Sequence, residues 1–269
     1  EGGELGYALA TAYGAVLDNP DLIAACLIGD GEAETGPTAT AWHAAKLIDP
    51  KHNGAVLPIV HLNGYKISGP TLYGRMSDTQ LEQLFRGYGY EPIFVDASTA
   101  EDVHVDMAHA VDTAIASIRR TQCRAREEGV EEAPVWPVIL MRSPKGWHSI
   151  DTLNGQKIEG NHYAHQVIAP EARTNTQHLH ALEHWLRSYK FSELFDGQSF
   201  DADIQSLVPS ADRAMGNTPH ARGGSAVYQA LDTPTLSELE YSATCTLEDA
   251  TCPEQSAMRL VGMYLRDIF

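Results

Sequence analysis

Two apolar runs, each ending in a polar turn that contains glycine, constrain the fold of this chain more than any other feature. The first, Leu22 to Ile28, leads into Gly29-Asp30-Gly31-Glu32, and the second, Val56 to Leu62, leads into Asn63-Gly64-Tyr65-Lys66. Continuous apolar runs of this length are typical of parallel strands covered on both faces. The 33 positions from the aspartate to the asparagine leave room for a helix and a returning strand. The pattern therefore predicts neighbouring strands whose carboxyl ends bring both turns to one crevice.

The oxygen atoms at these two turns match the ligands that Mg²⁺ prefers. This ion takes six oxygens in a near-ideal octahedron, usually a few protein groups together with phosphate oxygens and water. The predicted ligands are the Asp30 carboxylate, the Asn63 side-chain amide and the Tyr65 main-chain carbonyl. Because Gly29 and Gly31 lack a Cβ, they can take positive φ and let a ligand oxygen approach the main chain closely. The sequence thus predicts a site for Mg²⁺ and a diphosphate.

A dinucleotide-binding fold is the main alternative at the first turn. It requires the pattern G-x-G-x-x-G, whereas the three residues after Gly31 include two glutamates and no glycine. Carboxylates beside a pyrophosphate are unfavourable unless a cation is present. A simple strand-to-helix turn with Asp30 as a solvated cap would explain the first turn alone, but not its pairing with Asn63.

Apolar and amphipathic segments continue to alternate along the chain, which predicts an α/β fold with a doubly wound parallel sheet and helices on both faces. A capping box, Ser98-x-x-Glu101, is expected to open the longest helix, which ends near an acidic loop at 127–132. The other predicted elements are helices at about Glu4 to Leu17, Pro37 to Ile48 and Thr79 to Arg86, and strands at Pro92 to Asp96 and Val138 to Met141.

Charge, cysteine content and the lengths of the apolar runs indicate which partners and which location to expect. The formal net charge of −17 and the pI near 5.0 argue against nucleic-acid or anionic-membrane partners. The four cysteines are interpreted as reduced thiols. No apolar run approaches about 20 residues, and the first residues do not resemble a signal peptide. We therefore expect a cytoplasmic enzyme, or a piece of one.

Five segments of the chain closely resemble phosphoketolases, in the same order. They are EGGELGYALATAYGAVLDNPDLIAACLIGDGEAETGPTATAWHAAK, GAVLPIVHLNGYKISGPT, RSPKGW, EGNHYAHQV and NTPHARGG. The similarity extends from Glu1 to about Gly224 and weakly resumes from Arg259 to Phe269. The resemblance implies the thiamine diphosphate-binding fold, with thiamine diphosphate and Mg²⁺ as cofactors.

The same resemblance implies roles for residues that the sequence alone would assign to the surface. Lys145 in SPKGW is implied to be an active-site cation near cofactor and substrate, and His165 in AHQV an acid/base group. Gly2, in the first turn of the chain, is implied to approach the diphosphate. The other cofactor contacts that the resemblance implies are Gly29, Asp30, Gly31, Glu32, Asn63 and Lys145.

The implied reaction is phosphorolytic cleavage of a ketose phosphate, either xylulose 5-phosphate or fructose 6-phosphate. Inorganic phosphate is the second substrate, and the products are acetyl phosphate and an aldose phosphate. The reaction expels water, so the departing hydroxide needs a proton donor such as an ammonium or imidazolium group. Transketolase-type ketol transfer, which needs no dehydration, and a non-catalytic protein that keeps the fold are the alternatives.

Phosphoketolases are much longer than this chain, so the resemblance implies an internal fragment that is inactive alone. Their substrate-binding histidines precede the EGGELG turn, and the glutamate that activates the cofactor's aminopyrimidine ring lies beyond the present end. We predict a partial diphosphate-binding domain at 1–150, an interdomain connecting segment, mainly helical or irregular, at 151–230, and the possible start of the pyrimidine-binding domain at 231–269. A homodimer is implied for the complete enzyme. One departure is 148–150, His-Ser-Ile, where the family usually has Thr-Gly-Pro.

One further motif matches a zinc-protease signature. His180, Glu183 and His184 fit the pattern H-x-x-E-H on a helix that Thr174 or Thr176 could cap. Histidines four positions apart also occur on solvated helix faces, since i and i+4 are neighbours on any helix. We favour a linker helix over a zinc site.

Overall fold

The computed structural model describes residues 5–98, 102–130 and 132–211, and beyond them only residues 213, 214, 217, 261, 262, 265 and 266. The chain divides into two compact units, Glu1–Val208 and Pro209–Phe269. The following description concerns the first unit. The three-part division of the chain predicted from the sequence stays a prediction, and its last part falls almost wholly outside the described residues.

A four-stranded parallel sheet forms the centre of the first unit, as the alternating pattern predicts. Its strands are β1 (Ile23–Gly29), β2 (Ala55–Leu62), β3 (Tyr90–Asp96) and β4 (Trp136–Arg142), in the order β1-β2-β4-β3. Every pairing is parallel, with Gly29 opposite His61 and Leu62 opposite Arg142. The carboxyl ends of β1, β2 and β4 are therefore neighbours on one edge of the sheet.

Helices cover both faces of the sheet, so the predicted α/β architecture is confirmed. The helices are α1 (Ala8–Val16), α2 (Asp30–Ala33), α3 (Gly36–Ala41), α4 (Asp78–Tyr88), α5 (Val103–Arg126), α6 (Thr176–Ser188) and α7 (Ala202–Leu207). Helix α1 packs on β1 and β2 and α4 on β3, both next to the 3₁₀ turn Trp42–Lys46, while α5 packs on β2, β3 and β4. Among the described residues, no helix is both long and apolar enough to span a bilayer.

The remaining elements are short. Three more 3₁₀ turns span Tyr73–Arg75, His162–His165 and Phe191–Glu193, and two small hairpins pair Thr152–Leu153 with Gln156–Lys157 and Phe195–Asp196 with Ser199–Phe200. From residue 143 to residue 208, the chain adds no strand to the main sheet. This agrees with the mainly helical or irregular segment predicted after the diphosphate-binding part.

Several predicted helix boundaries are wrong, and local hydrogen bonds explain most of them. Helix α1 begins at Ala8 rather than near residue 4, because Gly6 has a φ of +100° and interrupts the helix. Ser98 does not cap α5, since its N–H and hydroxyl donate to Asp96 at the end of β3, and its partner in the predicted box, Glu101, lies outside the described residues. Asp102 caps α5 instead, accepting from the first free N–H groups of the helix.

Two other predicted helices also differ from the structure. The helix expected from Pro37 to Ile48 is α-helical only to Ala41 and continues as the 3₁₀ turn to Lys46. Helix α6 is capped by Asn175, which accepts from Gln177 N–H, and not by either neighbouring threonine. In both regions the helix predicted from the apolar spacing is present, and only its ends and caps differ.

An aromatic cluster joins the crevice edge of the sheet to the hydrophobic core. Trp42 is fully buried and packs edge-on against Phe85 and Tyr90. Its indole N–H donates to the carbonyl of Ala33 at 3.0 Å, at the end of α2. Trp42 thereby fixes α2, the short helix that carries Asp30, onto the core.

Truncation of the Trp42 side chain should destabilise the fold. We expect Trp42→Ala to lower the free energy of unfolding by about 3–5 kcal/mol, because it opens a cavity and leaves a buried carbonyl unpaired. Leu47→Ala is the control: it alters an apolar side chain that is 77 % exposed, and its effect should stay within about 0.5 kcal/mol. Denaturant unfolding followed by circular dichroism measures both, and equal effects would contradict the assignment.

Candidate functional site

The carboxylate of Asp30 is the centre of the crevice. Asp30 is the first residue of α2, directly after β1, and only 1 % of its surface is exposed. Its Oδ1 accepts from Gly31 N at 2.9 Å, and its Oδ2 accepts from Gly64 N at 2.6 Å and from the Thr71 hydroxyl at 3.0 Å. The two turns predicted to share one crevice are thus joined by direct hydrogen bonds.

Counting hydrogen bonds shows what this carboxylate still lacks. An ionised carboxylate can accept about four hydrogen bonds, two on each oxygen. Three positions are filled by the chain, which leaves one position on Oδ1. Burial raises the pKa of Asp30, while the three hydrogen bonds and the charge of Lys145 act in the opposite direction. A desolvated carboxylate with one open acceptor position is suited to a single hard cation.

The other two predicted metal ligands flank Gly64. The Asn63 side-chain oxygen accepts from Tyr65 N at 3.1 Å, which uses one of its two lone pairs. Tyr65 forms an isolated β-bridge with Pro70, and no described residue donates to its carbonyl oxygen. Gly64, which lies between these two residues in the chain, donates directly to Asp30, so both residues flank a main-chain contact of the carboxylate. The donor set therefore fits Mg²⁺, and the metal role of the three residues stays a prediction.

The two glycines around Asp30 do not use the positive φ that is open to them. Gly29 has a φ of −68°, and Gly31 lies in the helical turn of α2, so neither adopts positive φ. The left-handed residue of the crevice is Gly64, with a φ of +83°. A Cβ built at Gly29 meets no atom within 4 Å, whereas one at Gly31 would touch the Lys66 stem at 3.5 Å. Open space for a ligand oxygen is thus found at Gly29.

Lys145 lies on the third strand end of the same edge. It follows β4 and is close enough to Asp30 for its charge to lower the pKa of that carboxyl. Among the described residues, Lys145 has no ion-pair partner. This places a positive charge without an ion-pair partner next to the crevice, and the active-site role that the resemblance implies for Lys145 stays a prediction.

The structure also brings the segment of His165 to the Lys145 loop. The Lys145 carbonyl accepts from Gly160 N at 2.7 Å. Gly146 has a φ of +69° and lies directly against Ala164, leaving no room for a side chain. His165 is therefore on a segment in contact with the Lys145 loop, at the exposed end of the 3₁₀ turn.

Sequence reasoning missed two residues of this crevice. His61 Nε2 lies 2.6 Å from the Ser143 hydroxyl and links the ends of β2 and β4. Burial lowers the pKa of His61, with the charge of Asp30 acting against this and that of Lys145 reinforcing it. A single polar residue within an apolar strand is the signal that could have found it. The other missed residue, Thr71, stands in a loop and carries no such signal.

Two further acidic residues near the turn have partners within the chain itself. Glu32 accepts from Gly6 N at 3.2 Å, so it contacts the N-terminal turn. Glu34, whose side chain is 2 % exposed, accepts from Tyr73 N at 3.0 Å and pairs with Lys66 Nζ at 2.5 Å. The cofactor contact of Glu32 stays a prediction, and Gly2 lies outside the described residues.

The zinc-like motif on α6 does not form a cluster of ligands. His180, Glu183 and His184 are exposed, and Glu183 pairs with Arg187 at 2.8 Å. The buried histidine of this helix is His178, next to the side chain of Asn154. Within the described ranges, no three His, Cys, Asp or Glu side chains are placed to hold a metal. The predicted Mg²⁺ site is of a different kind, because it combines one carboxylate with an amide and a main-chain oxygen.

Comparison with known proteins decides the family. Residues 1–226 match the family model described as XFP N-terminal domain. The chain belongs to this family. Its curated relatives include a probable phosphoketolase of Nitrosomonas europaea, 49 % identical across this whole chain, and one of Bradyrhizobium diazoefficiens, 54 % identical over 83 % of it. The predicted resemblance to phosphoketolases is confirmed.

This chain is much shorter than these relatives. It spans 33 % of the Nitrosomonas protein and 28 % of the Bradyrhizobium protein, about a third of their length. Among solved structures, a transketolase mutant from Pichia stipitis aligns with 81 % of this chain and 28 % of its own, at 17 % identity and a TM-score of 0.45.

Close packing of the crevice loop gives a stability prediction. We expect Gly74→Ala to lower the free energy of unfolding by about 1–3 kcal/mol, because its Cβ would lie 2.7 Å from Gly64 Cα and 2.8 Å from the Thr71 hydroxyl. Gly87→Ala is the matched control on the exposed face of α4, where a Cβ meets no atom within 4 Å. There alanine should stabilise by about 0.5–1 kcal/mol. Thermal and denaturant unfolding measure the difference, and effects of the same sign would contradict the packing.

Proposed function

We propose that this chain is the part of a phosphoketolase that holds Mg²⁺ and the diphosphate of thiamine diphosphate. The complete enzyme would cleave a ketose phosphate, xylulose 5-phosphate or fructose 6-phosphate, with inorganic phosphate, and yield acetyl phosphate and an aldose phosphate. The observation that carries the proposal is the buried Asp30 carboxylate, which joins two strand-end turns and keeps one acceptor position open next to Lys145. Family membership supports the same reaction.

The residues of the crevice fit the two cofactors in distinct ways. Asp30, Asn63 and Tyr65 would hold Mg²⁺ through a carboxylate, an amide and a main-chain oxygen. Gly29, with open space where a Cβ would be, would admit an oxygen of the diphosphate. When bound, thiamine diphosphate supplies the electron sink that permits carbon–carbon cleavage.

Lys145 and His165 are proposed to manage charge during the loss of water. A departing hydroxide requires a proton or a nearby positive charge. The Lys145 ammonium stands without an ion-pair partner in the described part of the chain, so its Nζ is free to stabilise that charge. His165 lies on the adjoining segment, and its ring nitrogen would hold the proton to be transferred.

The remaining parts of the proposal concern the complete enzyme. Cofactors of this kind lie between domains of two subunits in the families that this chain resembles, so we infer a homodimer. Excess negative charge and cysteines interpreted as reduced thiols support a cytoplasmic location. The two described cysteines, Cys26 and Cys123, are free.

Cofactor binding tests the role of Asp30. A full-length enzyme that carries this segment should bind thiamine diphosphate only in the presence of Mg²⁺, measured by isothermal titration calorimetry. Asp30→Asn should weaken that binding roughly 30-fold or more, since truncating one partner of a buried charge pair costs about 2–5 kcal/mol.

The matched control is Asp96→Asn, at the carboxyl end of β3, where the carboxylate accepts only from Ser98 in the described structure. It should leave the Mg²⁺-dependent affinity unchanged, and circular dichroism should show that both variants are folded. Binding by the wild type that is indifferent to Mg²⁺, or an equal loss in both variants, would rule out the proposed site.

Product analysis tests the reaction in a full-length enzyme that carries this segment. Acetyl phosphate should form from xylulose 5-phosphate and inorganic phosphate, detected as its hydroxamate. Lys145→Met should lower kcat by about 10²-fold or more, the size typical of a lost charge-stabilising group. Lys157→Met is the control, because that lysine pairs with the exposed Asp151. Ketol transfer without acetyl phosphate would favour a transketolase-type enzyme instead.

A further inference from the structure

We propose that Thr71 is the positioning residue that aims the Asp30 carboxylate at Mg²⁺. This inference rests on the proposed function, because it concerns the same metal site. Thr71 is fully buried, although it stands in the loop between β2 and α4 rather than in a core element. Its hydroxyl is 3.0 Å from Asp30 Oδ2.

In the hydrogen bond between Thr71 and Asp30, the threonine hydroxyl is the donor. Gly74 N–H donates to the Thr71 hydroxyl oxygen at 2.9 Å, so that oxygen acts as an acceptor there. A hydroxyl has only one proton to donate. An ionised carboxylate can only accept, and the Thr71 proton therefore points at Asp30 Oδ2. The hydroxyl therefore links the main-chain N–H of Gly74 to the Asp30 carboxylate through two hydrogen bonds.

The threonine is itself held by the main chain on its other side. Thr71 N donates to the Gly64 carbonyl at 2.9 Å, and Gly64 N donates to Asp30 Oδ2 at 2.6 Å. Gly74 approaches Gly64 so closely that no side chain fits between them. Asp30, Gly64, Thr71 and Gly74 thus form a closed ring of contacts, which we call the carboxylate clasp.

The clasp determines which oxygen of Asp30 faces the metal. Two donors, Gly64 and Thr71, converge on Oδ2, and only Gly31 donates to Oδ1. Without the Thr71 hydroxyl, each oxygen would keep one donor, and the two would become equivalent. The carboxylate could then rotate about its χ2 torsion, which is broad for aspartate. The open acceptor position on Oδ1 would lose its fixed direction.

A loss of direction should affect two metal ions differently. Mg²⁺ demands near-ideal octahedral geometry at short distances, whereas Ca²⁺ accepts six to eight oxygens in flexible arrangements. Removing the Thr71 hydroxyl should therefore weaken Mg²⁺-supported binding more than Ca²⁺-supported binding. A purely structural role for Thr71 would weaken both to the same degree.

Thr71→Val tests this, because valine keeps the shape and removes the hydroxyl. Thiamine diphosphate binding by the full-length enzyme that carries this segment is measured calorimetrically, once with Mg²⁺ and once with Ca²⁺. We expect Thr71→Val to weaken the Mg²⁺-supported affinity about tenfold, as is typical when an outer-shell partner of a metal ligand is lost. The Ca²⁺-supported affinity should fall less, and Thr71→Ser, which keeps the donor, should restore most of the loss.

Thr38→Val is the matched control. Thr38 is as completely buried as Thr71, but its hydroxyl makes no hydrogen bond within the described structure. The same substitution there should leave both affinities unchanged. If Thr71→Val does not fold, Thr71→Cys, with a weaker S–H donor, should show the same selective loss for Mg²⁺.

The outcomes separate the inference from the proposed function. A Thr71→Val affinity equal to the wild type, or an equal loss with both metals, would overturn the positioning role and leave the proposed site standing. A wild-type full-length enzyme that shows no metal-dependent binding at all would instead overturn the proposed function, and this inference with it.

Discussion

The buried Asp30 carboxylate is the interaction on which the rest of the crevice depends. It lies at the end of β1 and accepts from the turn that follows β2, so it ties two strand ends together through Gly64 and Thr71. Joining two loops through a buried charge costs desolvation free energy, and burial raises the pKa of Asp30. Neutral groups of the same shape would join the loops at lower cost. The carboxylate therefore needs an explanation beyond folding, and a bound cation gives one.

The order of the strands decides which residues share this edge. Along the chain β3 follows β2, but in the sheet β4 lies between them. This insertion brings Lys145 and Ser143, which follow β4, next to the turns of β1 and β2, and it leaves Asp96 at the far side of the edge. The hydrogen bond between His61 and Ser143 crosses the same junction. Strand order therefore matters to the site as much as the motifs do.

Much of the fold and of the site could be predicted from the sequence, because their signals are local. The apolar runs located the strands, and the oxygen-bearing turns located Asp30 and Asn63. The details that failed depend on contacts between distant segments. Glycine conformations at the first turn follow from α2, whose anchor is Trp42 nine positions later. Thr71 gains its role from a 41-residue separation that no local pattern records.

Charge compensation explains how an acidic turn can accept an anionic ligand. Glu32 and Glu34 follow Asp30 closely, yet each is matched by a donor of the chain, Gly6 in one case and Lys66 in the other. Lys66 offsets the negative charge of Glu34, whereas the Gly6 N–H holds the Glu32 side chain in place and leaves its charge. Asp30 is the acid of the turn that contacts Gly64 of the second turn and keeps an acceptor position open on Oδ1, and Lys145 adds a positive charge nearby. On the proposed function, Mg²⁺ at Asp30 would complete the change from a repulsive turn to an attractive one, and cofactor affinity should depend on the metal for this electrostatic reason.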